Sequence, residues 1–168
     1  MSIPNLLKRV QMFSNLNESE LEQVAEICVQ KQAAPGELIL EQDTTGTEMY
    51  IVSDGAVDVY VQSGEETRSL VVLGKGQVIG EMALIDQGHR SASVRATKNG
   101  VTLYLIESQK FFDLCNTNHR IGFIVMRNLA IDIARETGSS TALVDLDLSL
   151  NGDIEVLLDI GETKSISS

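Results

Sequence analysis

The chain has 168 residues, of which 43% are hydrophobic and 22% charged, the balance of an ordinary globular protein. Thirteen Lys and Arg residues stand against 24 Asp and Glu residues, which gives a formal net charge of −11. This acidity argues against nucleic acid or an anionic membrane as the main partner, because both are bound through basic patches.

The supply of apolar segments, cysteines and histidines narrows the protein class further. No apolar run approaches the roughly 18 residues of a transmembrane helix, and no signal peptide precedes Phe13, so we expect a cytoplasmic protein without a membrane partner. Cys28 and Cys115 are the only cysteines, and His89 and His119 are the only histidines. We therefore expect no disulfide framework and no metal site, because both need more such residues at close spacing.

The segment up to Ala33 has the spacing of helices. Asn17 is placed to cap a helix, and Glu20, three residues further on, completes a capping box. An apolar face follows at spacings of three and four residues, formed by Leu21, Val24, Ala25 and Cys28. Ile3, Leu6, Leu7 and Val10 predict another short helix ahead of it.

Residues 35–106 change to the period of strands. Residues 57–61 and 101–105 alternate between apolar and polar, as half-buried strands do, and glycines such as Gly46 mark turns between short segments. Strands this short and this regularly spaced indicate an antiparallel barrel. The predicted fold class is α+β: a small antiparallel β-barrel, of the double-stranded β-helix or jelly-roll type, flanked by N-terminal and C-terminal helices.

Ser108 is placed to cap a short helix through Cys115, and Asn118 a longer helix that ends at Gly138. Ten of the fourteen residues between Ile121 and Ala134 are apolar, a wider surface than one stripe against a barrel needs. We expect a homodimer through the helix over residues 119–138. Packing of this helix against the N-terminal helices of its own chain is the alternative.

An acidic segment follows Gly138, so the predicted domain boundaries are 1–138 and 139–168. The 30 residues carry six carboxylates and a single lysine, Lys164. Residues 146–150 and 154–160 alternate around Asn151-Gly152, which predicts a β-hairpin. A calcium loop is not expected here, because the required glycine is displaced and the bidentate glutamate is missing. A DNA-reading helix-turn-helix domain would also need about twice this length and basic side chains.

One stretch carries the chemistry of a ligand site. It runs from Gly80 through Glu81 to Ile85, and Arg90-Ser91-Ala92 follows. A glycine before a helical start directs several backbone N–H groups one way, which suits an anion. An arginine nearby adds charge-assisted bonds to a phosphate, and a carboxylate can accept hydrogen bonds from a sugar hydroxyl. The pattern indicates a site for one phosphate joined to one ribose.

At these residues the chain resembles the cyclic nucleotide-binding domain family. The phosphate-binding cassette of that family reads roughly G-E-x-A-L, a loop, then R-[AST]-A-x-V. Its places are filled here by Gly80, Glu81, Ala83, Leu84, Arg90, Ser91, Ala92 and Val94. The resemblance extends over about residues 12–138.

The resemblance implies a role for each site residue. Arg90 would bind the cyclic phosphate and Glu81 the ribose 2′-hydroxyl, while Val59 and Leu70 would pack the purine. The phosphate cradle would be completed by Gly80, Met82, Ala83, Ser91 and Ala92. Thr137, beside Glu136, would lie where a helix can close over the base.

The sequence therefore predicts a cytosolic receptor module, not an enzyme, that binds cAMP, or cGMP as the second candidate. It needs no cofactor, and its output would be an effector protein that the sequence does not identify. It is either a free-standing sensor or the regulatory part of a longer chain. The alternatives are an adaptor that keeps the fold without binding nucleotide, and a cupin-type enzyme. Cupin chemistry is disfavoured, because His89 and His119 are too few to ligate a metal.

Overall fold

The computed structural model describes residues 1–85 and 88–136; Thr137 and the predicted hairpin lie outside these ranges. The helices are α1 (Ile3–Leu7), α2 (Glu18–Glu26), α3 (Ser108–Thr117) and α4 (His119–Glu136), with short 3₁₀ turns at Gln11–Phe13 and Glu81–Leu84. The strands are β1 (Val29–Ala33), β2 (Leu38–Leu40), β3 (Glu48–Ser63), β4 (Glu66–Leu73), β5 (Val78–Ile79) and β6 (Ser93–Glu107). The structure divides between Leu129 and Ala130, and the packing described below belongs to the first of the two units.

The six strands form one antiparallel sheet in the order β1-β6-β3-β4, with β2 added to β6 and β5 to β3. The long strands β3 and β6 pair along most of their length, and their register shifts on both sides of Gly55. Gly55 has a φ of +78°, and a β-carbon there would lie 2.4 Å from the Gly100 carbonyl oxygen. Bulges of this kind increase the twist of a strand and bend it. The predicted fold class, an α+β fold with an antiparallel jelly-roll sheet flanked by helices, is confirmed, although the six described strands do not close into a complete barrel.

The capping box at the start of α2 is confirmed. The Asn17 side chain accepts from the Glu20 N–H at 2.9 Å, and the Glu20 carboxylate accepts from the Asn17 N–H at 2.8 Å. The same carboxylate is ion-paired with Arg120 of α4. Burial alone would raise the pKa of Glu20, but the hydrogen bonds from Arg120 and Asn17 outweigh it and lower the pKa.

The apolar face of α4 packs within its own chain. Its buried residues Ile121, Ile124, Val125 and Leu129 share one core with N-terminal residues that include Leu6, Leu7 and Phe13. The Asn128 side chain, also buried, donates to the carbonyls of Met12 at 3.0 Å and Ser14 at 2.8 Å. The intramolecular alternative thus accounts for these buried positions, whereas Phe123 of the same helix is 69% exposed.

Two local details differ from or refine the sequence predictions. Glu107, and not Ser108, is the N-cap of α3, because Ser108 is already helical and buried.

Cys28 and Cys115 are free thiols that pack beside the helical core, and burial raises the pKa of the Cys28 thiol to about 12.

Candidate functional site

The backbone of Arg90 is fixed by the loop that follows β2. The Arg90 N–H donates to the Thr44 carbonyl at 2.7 Å, and the Asp43 N–H donates to the Arg90 carbonyl at 2.8 Å. Thr45 and His89 form an isolated antiparallel bridge beside this pair. The main chain of Arg90 is therefore hydrogen-bonded to a neighbouring segment as in a β-strand, although Arg90 lies before the first residue of β6.

The guanidinium of Arg90 lies between two glycines and is almost fully buried, with 7% of the residue exposed. A β-carbon on Gly46 would lie 2.3 Å from its Nη2 atom, and one on Gly80 would lie 2.4 Å from its Nη1 atom. Nη2 donates to the Glu48 main-chain carbonyl at 2.7 Å and lies 3.5 Å from the Glu48 carboxylate. Two close backbones and one carbonyl thus set the position of this cation.

Gly80 opens the cassette in the left-handed conformation, with a φ of +72° that favours glycine. The 3₁₀ turn that follows is closed by a hydrogen bond of 3.0 Å from the Ala83 N–H to the Gly80 carbonyl. Ala83 and Leu84 are buried, Glu81 is half-buried, and Met82 is 45% exposed. Ala83 and Leu84 therefore anchor the turn in the core, and Glu81 and Met82 lie towards the protein surface.

The second half of the cassette leads into β6. Ser91 and Ala92 are half-buried, and the Ser93 hydroxyl accepts from the Gln42 N–H at 2.9 Å. Val94 is buried and pairs with Val59 across β3 and β6. The sheet register thus brings Val59, distant in sequence, beside the last residue of the cassette.

Leu70 lies one strand further away. On β4, Ser69 pairs with Tyr60 and Val71 with Val59, so Leu70 is the extra residue of a β-bulge. It is half-buried. Of the predicted site residues, Gly80 and Arg90 are thus in direct contact, and Val59 is next to the cassette through its pairing with Val94. Leu70 lies at the bulge beside Val59.

Gly46 and Glu48 are functional candidates that no sequence motif reveals. Gly46 marks a turn and Glu48 belongs to no motif, and both lie more than forty residues before Arg90 in the chain. They line an open cleft of about 400 Å³ together with Thr45 and Thr47. Nothing in their local sequence reveals the contact, which appears only when the loop after β2 folds against the cassette.

The arrangement suits a small organic anion. A buried guanidinium held at fixed position supplies charge-assisted hydrogen bonds to a phosphate, at low cost in side-chain ordering. Among the described residues no group of three or more His, Cys, Asp or Glu side chains could hold a metal ion. No helix within the described ranges has the length and apolar character needed to cross a membrane.

Comparison with known proteins decides the family. The family model described as the cyclic nucleotide-binding domain matches residues 30–118, just over half of the chain. The chain belongs to the cyclic nucleotide-binding domain family. The matched region runs from β1 to the residue before α4 and includes the whole cassette. Its architecture is that of a cyclic nucleotide-binding regulatory domain.

Relatives of this domain come from several kinds of protein. The cGMP-dependent protein kinase isozyme 1 of Drosophila melanogaster is 31% identical over 170 residues, covering 94% of this chain and 22% of the kinase. The Cyclic AMP receptor protein of Thermus thermophilus is 29% identical over 141 residues, covering 83% of this chain and 63% of that protein. The crystal structure of the catabolite activator protein of T. thermophilus matches with a TM-score of 0.69 at 28% identity, over 81% of this chain and 62% of that chain.

The domain corresponds to a small part of its kinase-related relatives. It spans 15% of the Caenorhabditis briggsae cGMP-dependent protein kinase egl-4, and 22% and 28% of two Drosophila melanogaster relatives. The match therefore leaves most of the length of each of these relatives outside the shared region.

Proposed function

We propose that this chain is a receptor that binds cAMP reversibly, with cGMP as the second candidate, and passes the signal on through a change of conformation. The observation that carries the proposal is the Arg90 guanidinium, which is buried and flanked by the backbones of Gly46 and Gly80. A buried cation is costly unless it is well paired, and its carboxylate contact of 3.5 Å is longer than a good hydrogen bond, so a bound phosphate would improve its pairing.

Each residue of the cassette has a role in this proposal. Arg90 binds the cyclic phosphate, and the carboxylate of the half-buried Glu81 accepts a hydrogen bond from the ribose 2′-hydroxyl. Val59, on the sheet face next to Val94, contacts the purine. The remaining proposed contacts are Gly80, Met82, Ala83, Ser91 and Ala92 to the phosphate and Leu70 to the base, with Thr137, outside the described residues, as a further contact to the base.

The choice of cAMP as the first candidate has support from relatives named for cAMP. The Cyclic AMP receptor protein of T. thermophilus is 29% identical over 83% of this chain, and the Drosophila cAMP-dependent protein kinase type II regulatory subunit is 34% identical over 63% of it. The identities to cGMP-dependent kinases keep cGMP as the second candidate. Ser91 does not separate the two candidates. The family associates threonine at this position with cGMP and alanine with cAMP, and serine is neither.

A route for the conformational change runs through Leu84. Leu84 ends the 3₁₀ turn of the cassette and is buried in the same core as Phe111 of α3 and Ile121 of α4. A shift of the turn on ligand binding would bias the positions of both helices, because a packed core does not deform continuously. We infer a cytoplasmic protein that forms a homodimer through residues 119–138 and acts on an effector protein.

Calorimetric titration tests the proposal. The purified chain is titrated with cAMP, cGMP and, as a matched control, 5′-AMP, which has the same base and sugar but an open phosphate. We expect saturable binding of cAMP, weaker binding of cGMP and a large loss for 5′-AMP. Failure of both cyclic nucleotides to bind would favour the alternative, an adaptor that keeps the fold and works through protein contacts.

A further inference from the structure

Glu48 is the acidic side chain that faces the proposed phosphate anchor. Its carboxylate lies 3.5 Å from Nη2 of Arg90, and its side chain is 38% exposed. The same Nη2 atom donates to the main-chain carbonyl of Glu48 at 2.7 Å. The carbonyl contact has the length of a good hydrogen bond, whereas the carboxylate contact is longer than one.

The carbonyl contact and the carboxylate contact of Glu48 have different effects on Arg90. The carbonyl bond and the close backbones of Gly46 and Gly80 fix the guanidinium whatever side chain stands at position 48. The carboxylate adds negative charge next to a cation that is 7% exposed, and a buried cation is costly without a counter-ion. Its main contribution is therefore to charge and not to placement.

Another carboxylate belongs to a residue that contacts the Arg90 main chain. The Asp43 N–H donates to the Arg90 carbonyl at 2.8 Å, and the Asp43 carboxylate lies 3.1 Å from Nε2 of His89. The charges of Glu48 and Arg90 both act on the pKa of Tyr50, which lies two residues after Glu48 on β3. Burial raises its pKa, Glu48 raises it further, and Arg90 lowers it. An anion that reaches Arg90 thus enters a region where Glu48 already holds the counter-charge.

From this geometry we propose that Glu48 is an internal counter-ion of Arg90 that competes with the cyclic phosphate and lowers affinity, so that it sets the ligand concentration at which the domain responds. The inference rests on the proposed function. Without ligand, Glu48 stabilises the buried guanidinium. With ligand, the phosphate takes that role and is repelled by the carboxylate.

The test compares Glu48→Gln with wild type, and with Glu66→Gln as the matched control. Glu66 is an exposed residue at the start of β4, where it pairs with Ser63, so its substitution removes one negative charge outside the Arg90 contacts described above. We expect Glu48→Gln to bind cAMP about 3- to 20-fold more tightly than wild type, because one like-charge repulsion is removed. The gain should shrink as salt is raised, because salt screens the repulsion. The ligand-free variant should melt at a lower temperature than Glu66→Gln.

The combination of tighter binding and lower ligand-free stability is the signature of competition. A merely structural Glu48 would give lower stability together with weaker binding, and that result would overturn the inference. Affinity equal to that of Glu66→Gln would overturn it too. If wild type binds no cyclic nucleotide, the proposed function fails and this inference fails with it. If wild type binds and Glu48→Gln shows no gain, only this inference fails.

Discussion

Gly46 lies so close to Arg90 that a β-carbon at position 46 would be 2.3 Å from Nη2 and 2.7 Å from Cζ of the guanidinium. Such a distance is shorter than a van der Waals contact, so any side chain at position 46 must displace the guanidinium. The backbone of Gly46 itself is not in the left-handed region. The glycine is thus required by the position of Arg90 and not by the conformation of the turn.

The first prediction concerns this contact. Gly46→Ala should weaken cAMP binding by about 10- to 100-fold, because it moves the cation away from the phosphate while the fold stays intact. The matched control is Gly74→Ala, since a β-carbon at position 74 meets nothing within 4 Å and the residue has no positive φ. Calorimetric titration measures the affinities, and thermal unfolding checks that both variants are folded. Equal affinities for the two variants would show that Arg90 does not need this position.

The second prediction assigns Glu81 to the ribose. Glu81→Gln should weaken cAMP binding strongly, yet affect 2′-deoxy-cAMP much less, because the 2′-hydroxyl is the proposed partner of the carboxylate. Two proteins and two ligands form a double-mutant cycle that isolates this pair. Additive losses in the cycle would mean that Glu81 acts on something other than the 2′-hydroxyl.

The third prediction concerns the attachment of α4 to the N-terminal segment. Asn128→Ala removes two hydrogen bonds from a buried side chain to the carbonyls of Met12 and Ser14. The free energy of unfolding should fall by about 1–3 kcal/mol, the cost of leaving buried polar groups unpaired.

Asn116→Ala is the control for this change, because Asn116 is an exposed residue of the neighbouring helix α3. Its effect should stay within about 0.5 kcal/mol. Denaturant unfolding followed by circular dichroism gives both values. If Asn128→Ala is as stable as Asn116→Ala, the two carbonyls do not hold the helix.

The parts of the molecule that the sequence predicted are those encoded by local patterns. The capping box of Asn17 and Glu20 needs residues only three apart, and the alternation of residues 57–61 is visible within one strand. The cassette from Gly80 to Val94 is also local, so its residues could be singled out without a structure.

The remaining features depend on contacts between distant segments. Glu48 precedes Arg90 by 42 residues, and no pattern in the sequence places its carbonyl against that guanidinium. The partner of α4 posed the same difficulty. Its apolar width showed that two surfaces were covered, but a second chain and the segment around Phe13 satisfy that pattern equally well. The structure assigns Ile121 and Val125 to one core with Phe13, whereas Phe123 of the same helix is 69% exposed, and no sequence pattern separates these two sets.

The central claim is that Arg90 binds the phosphate of a cyclic nucleotide, and the most direct measurement is the cAMP affinity of Arg90→Ala. Its control is Arg95→Ala, because Arg95 is an arginine of β6 that pairs instead with Asp58 at 2.8 Å. Circular dichroism should show that both variants keep the sheet. We expect Arg90→Ala to lose about 30- to several-thousand-fold in affinity, since losing a buried charge partner costs about 2–5 kcal/mol, and Arg95→Ala to stay within about threefold of wild type. A folded Arg90→Ala that also binds cAMP within about threefold of wild type would contradict the phosphate assignment.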